Sequence, residues 1–121
     1  MTSQPSPHLV GLDEALPPPL LVGISCPDED TVVVTPTGEA DIYSRDPLQQ
    51  AVLNAIREGR PHVIVDLDHL TFMDASTLAI LVGARRRISA EGGSLRVRCH
   101  IHRNRRLLTM TGLGGMLDPS V

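Results

Sequence analysis

Three oxygen-bearing side chains fall within four positions at Asp74-Ala75-Ser76-Thr77, between an apolar run and a helix-forming one. A helix N-terminus leaves its first backbone N–H groups unpaired and carries partial positive charge, so added negative charge is favoured there. Asp74 can cap such a helix by accepting from the N–H of Ser76 or Thr77. Ser76 and Thr77 then read as an exposed hydroxyl cluster and as candidate phosphorylation sites, a modification that adds about −1.5 to −2 charges. Asp41 and Ser44 form a second polar pair upstream. They read equally well as an Asx turn entering a helix or as part of the same surface.

Other residue types in the chain carry less. His100-Ile101-His102 has no third ligand at metal-site spacing, so no metal and no cofactor are expected. Cys26 and Cys99 are the two cysteines, and both fall in expected strands as buried thiols. Arg85-Arg86-Arg87 and Arg103-Asn104-Arg105-Arg106 could meet phosphate. A net charge of −3 and 2% aromatic content argue instead for solvated helix faces and no nucleic acid. The charge is divided along the chain: residues 1–74 carry twelve acids and three arginines, residues 75–121 two acids and eight arginines. That separation either reflects arginine-rich coding or orients a protein partner. No nucleophile–base pair or Gly-rich phosphate loop is visible, so the chain does not read as an enzyme. A phospho-accepting receiver domain would need a lysine to steady the phosphate, and all eleven basic residues are arginine.

The elements that must position these residues follow from periodicity. Residues 1–19 hold five of the ten prolines and read as a disordered leader, with the domain proper spanning 20–121. Leu20–Cys26 and Thr31–Pro36 predict an antiparallel hairpin, Pro36 ending the ladder because it lacks an N–H. Asp46-Pro47-Leu48-Gln49 predicts a helix start with Asp46 as N-cap and Gln49 reaching back. Leu48, Val52, Ala55 and Ile56 recur on its buried face before Gly59 stops it. His62–Leu67 suits a central strand, followed by a short loop to Asp74. A second helix runs from about Ala75 to Ala90 with Leu78, Leu81, Val82 and Ile88 inward. Leu95–Cys99 is a further strand, and a third helix over roughly Arg103–Thr111 carries Leu107, Leu108 and Met110, with Leu113 folding back past Gly112. The order ββαβαβα predicts an α/β fold, a four-stranded, mostly parallel sheet with an N-terminal hairpin and helices packed on it. No apolar run approaches the length of about 18 residues that a membrane span requires, so a cytoplasmic protein without membrane contact is expected.

The order of motifs resembles the STAS domain of anti-sigma factor antagonists. Phe72-Met73-Asp74-Ala75-Ser76-Thr77-Leu78 is similar to that family's FMDSSGL or FMDSTGL, Gly38-Glu39-Ala40-Asp41 to its GELD, and Arg106–Leu113 to its RxLxxTGL. Glu91-Gly92-Gly93 adds a fourth match in register. The resemblance implies a STAS-like fold and a regulatory module that binds an anti-sigma factor with an ATPase or kinase fold and so frees a sigma factor. It also implies a serine switched by phosphorylation directly after the aspartate. Here that position is Ala75, and Thr77 replaces the family's glycine.

Two readings remain: a switch moved to Ser76 or Thr77, or a constitutive binder. Ser76 lies about 100° around the helix from Ala75, which favours the second. On the same helix Ile80, Gly83 and Ala84 are expected to form the small apolar centre of a partner patch, with Arg87 at its rim. The partner-binding set is then Asp41, Ser44, Asp74, Ala75, Ser76, Thr77, Ile80, Gly83, Ala84 and Arg87, on a monomer or weak homodimer. A STAS module serving another complex, ligand-sensing or transporter-associated, is the alternative.

Overall fold

Val32, Val34, Val63, Val65, Leu95 and Val97 recur at every second position of three runs and are all buried in one cluster. Alternation of this kind puts one face of each strand into a core. In the computed structural model, which describes residues 19–118, the chain forms β1 (Leu21–Ser25), β2 (Thr31–Ala40), α1 (Asp46–Arg57), β3 (His62–Asp66) and β4 (Leu70–Met73). It continues through α2 (Ala75–Ala90), β5 (Ser94–Arg98) and α3 (His102–Met110) to a 3-10 turn at Gly114–Met116. The leader expected over residues 1–19 lies outside the described residues, apart from Pro19.

The sheet runs β1-β2-β3-β5, with β4 pairing β2 beyond the end of β3. β1 and β2 are antiparallel, with Val22 opposite Pro36 and Ile24 opposite Val34. The remaining pairs are parallel, and Val32↔Val63, Val34↔Val65 and Val65↔Val97 bring the valines into line. Leu48, Val52, Ala55 and Ile56 of α1 and Leu78, Leu81 and Ile88 of α2 close the same cluster from the helical side.

Several elements differ from the sequence reading. The expected four-stranded path is present, and Leu70–Met73 adds a fifth strand where a loop was expected. Four residues are too few to show a period, and β2 supplies the pairing partner only through tertiary contact. β2 continues through Pro36 to Ala40. Its ladder with β3 ends at Val34 and that with β4 begins at Gly38, so Pro36 sits in the gap, where no parallel pair needs its N–H. The register shifts at Gly38, whose φ of 120° few other residues adopt.

Arg45, not Asp46, occupies the N-cap of α1, without a side-chain bond. Asp46 is the first helical residue, where its charge favours the dipole. Cys26 is exposed just beyond β1, while Cys99 is buried. Val82 is only half-buried, and Met110 is 72% exposed because α3 turns Leu108 inward instead.

Gly93 has a steric role distinct from these. A Cβ there would fall on the Pro61 carbonyl oxygen and lie 2.9 Å from the Ile88 side chain. Gly93 and Ser94 are held there by Gly93 N–H to Ile88 O and Ser94 N–H to Pro61 O. Gly93→Ala is therefore expected to destabilise the fold by about 2–3 kcal/mol, as overpacking against backbone does. Urea denaturation compared with Gly92→Ala, where the added carbon meets nothing but φ is 84°, separates steric clash from backbone strain.

Candidate docking site

The site is built where β4 hands over to α2. Asp74 is extended, at φ −108° and ψ 179°, and its carboxylate caps α2 by accepting from the Thr77 N–H. One oxygen, Oδ1, gathers three donors: Thr77 N at 3.1 Å, the Ser76 hydroxyl at 2.6 Å and the Thr77 hydroxyl at 3.2 Å. Burial alone would raise this carboxyl's pKa. The hydrogen bonds from Ser76, from Thr77 and from the Ile42 backbone outweigh it and hold the pKa below the usual carboxylate value. Asp74 is thus a fixed negative charge at neutral pH.

The β2–α1 loop is fastened to this corner. Asp74 N–H donates to Ala40 O at 3.3 Å, and the Thr77 hydroxyl reaches the same carbonyl at 3.0 Å. Arg45 Nη1 donates to Ser76 O at 2.5 Å. Within the loop, Asp41 Oδ1 accepts from the backbone N–H of Tyr43 and Ser44, an Asx turn, and the Ser44 hydroxyl lies 3.1 Å from the same oxygen. Asp41 and Ser44 therefore adjoin the Asp74–Thr77 corner, and each is half-buried.

The two hydroxyls are not equivalent. Thr77 is wholly buried, with its Oγ1 turned to Ala40 O, so the expected exposed pair is corrected to one. A β-branched residue at this depth fills the space between α2 and the end of β2, and its hydroxyl is satisfied there. Ser76 is half-buried with its proton directed to Asp74, and Ala75 at the first helical position is exposed.

The patch expected further along α2 is likewise divided. Ile80 and Ala84 are 8% and 7% exposed because they pack toward α1, where Val52, Leu53 and Ile56 line a groove with them. Gly83 and Arg87 stay exposed at its mouth. A helix face read by period alone does not show which neighbour covers it, so Ile80 and Ala84 belong to the interhelical packing and not to an open apolar centre.

Ile42 and Tyr43, 57% and 92% exposed, are the residues missed by sequence reasoning. They project from the Asp41–Ser44 turn beside Asp74. The signal was an isoleucine and the only tyrosine of the chain within an otherwise polar connection. On the other side of Asp74, Phe72, Ala75, Arg103 and Met110 line a shallow groove, with the Arg103 guanidinium 4.6 Å from the Phe72 ring centroid. Exposed large apolar groups next to a fixed charge suit a protein-binding surface. Among the described residues no three His, Cys, Asp or Glu side chains are grouped to hold a metal ion, and no helix is long and apolar enough to cross a membrane.

The chain is similar to known proteins in both sequence and fold. The family profile described as STAS domain matches residues 27–120. The anti-sigma-B factor antagonist of Bacillus subtilis is 29% identical over 93 residues, covering 77% of this chain and 84% of that protein. The anti-sigma F factor antagonist of Paenibacillus polymyxa is 32% identical over 84 residues, covering 68% and 71%. Among solved structures, the anti-sigma factor antagonist SpoIIAA in its unphosphorylated form superposes with a TM-score of 0.71 at 23% identity, over 81% of this chain and 86% of that one. SpoIIAA in its phosphorylated form gives a TM-score of 0.67, also at 23% identity, over 81% and 89%. At that identity the structural likeness shows a shared fold.

Proposed function

We propose that this chain, which belongs to the STAS domain family, is an anti-sigma factor antagonist: a non-catalytic cytoplasmic module that binds an anti-sigma factor of the serine kinase type and thereby releases a sigma factor. The observation that carries the reading is the corner at Asp74–Ala75. A rigidly capped helix end presents a fixed carboxylate and an exposed methyl, flanked by the exposed Ile42 and Tyr43. The family assignment and the curated relatives, both antagonists of anti-sigma factors, support the partner class. The contact set on this reading is Asp41, Ser44, Asp74, Ala75 and Ser76, with Gly83 and Arg87 farther along α2.

The chain binds constitutively. Ala75 has no oxygen to accept a phosphoryl group, Thr77 is buried, and the Ser76 proton is committed to Asp74. Incubation of the purified chain with ATPase-fold anti-sigma factors and ATP tests the whole reading. A stable complex with no gain of phosphate is the expected result. Phosphate mapped to Ser76 would replace the constitutive reading by a displaced switch. Failure to bind any such kinase would remove the function and leave a STAS module of another complex.

Gly83 offers an independent probe of the surface. A Cβ there meets nothing within 4 Å, so Gly83→Arg is expected to keep the melting temperature while lowering partner affinity more than tenfold. Calorimetric titration beside thermal melting checks both halves, and unchanged affinity would take this stretch of α2 out of the contact.

A further inference from the structure

β1 stands at the end of the sheet, and among the described residues its outer edge pairs with nothing. Edge strands of monomeric proteins are ordinarily guarded by a charge, a proline or a bulge, because free N–H and C=O groups template another strand. Leu21-Val-Gly-Ile-Ser25 contains none of these. Its apolar groups are uncovered on both sides: Leu21 is 65% exposed and Ile24 53% exposed. Val22 and Ile24 also line a groove of about 400 Å³ against α1, whose rim is formed by Pro47, Gln50, Ala51, Asn54 and Glu58, the last its single charged side chain.

We propose that β1 is the interface of a symmetric homodimer, in which two copies of this chain join their sheets edge to edge. The occupant follows from self-complementarity. Antiparallel pairing about a two-fold axis at Gly23, the middle of the strand, sets Val22 of one copy opposite Ile24 of the other, twice. These four side chains lie on the α1 side and close the two grooves into one apolar cluster, the isologous arrangement a two-fold axis requires. Gly23 meets its own copy at the axis, where a side chain is absent. Leu21 meets Ser25, so no like charges oppose each other. The acidic turn Asp28-Glu29-Asp30 is six residues from the axis, which places the two turns roughly 40 Å apart. Their repulsion is then negligible beyond the screening length of about 8–10 Å.

Analytical ultracentrifugation of the full chain over a range of concentrations should show the mass rising from 13.1 kDa toward twice that value. Ile24→Lys, at an exposed position, should return the chain to a monomer with its far-UV spectrum unchanged. Disulfide trapping reads the register. Directly opposed residues have Cα atoms about 4.5–5.5 Å apart, within disulfide range, and the nearest atom to a Cβ at Gly23 is Thr35 O at 3.8 Å. Gly23→Cys combined with Cys26→Ser should give a covalent dimer under diamide. The native chain should not, although Cys26 is exposed, because two copies of position 26 would lie roughly 20 Å apart. A monomer at every concentration overturns the proposal, as does a dimer that survives Ile24→Lys and is not trapped at position 23. A monomeric full chain in which the thiol introduced by Gly23→Cys resists alkylation would mean that residues 1–18 cover the edge, and would overturn it equally.

Discussion

Ala75→Glu is expected to lower affinity for the anti-sigma factor by at least about 100-fold while leaving the fold intact. The asymmetry is physical. Glutamate in the first turn of α2 faces the positive end of the helix dipole and steadies the isolated chain by about 0.3–1 kcal/mol. In the complex the same carboxylate would be pressed into a close contact beside Asp74, whose hydrogen bonds keep it ionised. Like-charge juxtaposition across an interface costs several kcal/mol, and each 1.4 kcal/mol is about tenfold. Titration calorimetry against the kinase, with thermal melting as control, measures both effects. An affinity within threefold of the native chain would move the docking face away from Ala75. The companion substitution Ala75→Ser supplies the missing oxygen at an exposed position. It is expected to gain one phosphate from kinase and ATP by mass spectrometry, where the native chain gains none.

The second large effect concerns stability. Asp74→Ala removes the cap of α2 and the acceptor of three hydrogen bonds. Losing an Asp N-cap costs about 0.5–2 kcal/mol, and hydrogen bonds to a charged acceptor contribute about 1.5–3 kcal/mol. A total near 3 kcal/mol is expected, or a fall in melting temperature of about 10 °C or more for a domain of this size. Thr77 retains Ala40 O as a partner, which keeps the loss from being larger.

The pH dependence has a definite sign. The Asp74 carboxyl, unfolded value 3.8, titrates lower in the folded chain. Its stabilisation is therefore fully present above the unfolded value and is lost as pH falls through the folded one. Asp68 acts in the same direction. Its desolvation is outweighed by the His100 side chain and backbone, at 2.9 and 2.6 Å. Denaturation followed from pH 6 to pH 2 should show the native chain losing stability below about pH 4, with the loss smaller in Asp74→Ala. A variant whose acid limb matches the native one would deny Asp74 its role as the ionised cap.

The dominant elements were legible in the residues. Leu48, Val52, Ala55 and Ile56 at helical spacing fall on the buried face of α1, and the Val-Ile-Val run becomes a central strand, covered on the Val63 and Val65 face while Ile64 on the other is only half-buried. Asp74 as a cap could be read because an N-cap depends on residues within three positions of it. Leu70–Met73 could not be read as a strand: its pairing with Gly38–Ala40 is long-range, and a four-residue segment with Thr71 among three apolar residues fits strand or loop alike. Met110 failed for a related reason, since period gives a helix face but not the depth of the last turn.

Sequence by itself determined the α/β order, the capped helix after β4, the STAS family and the absence of a hydroxyl at position 75, because each depends on residue type or local spacing. Only the tertiary structure decided that Thr77 is sealed against Ala40, that Ile80 and Ala84 lie under α1, and that Ile42, Tyr43 and the β1 edge face solvent. Burial depends on which distant segment covers a side chain, and a one-dimensional period contains no information about that neighbour.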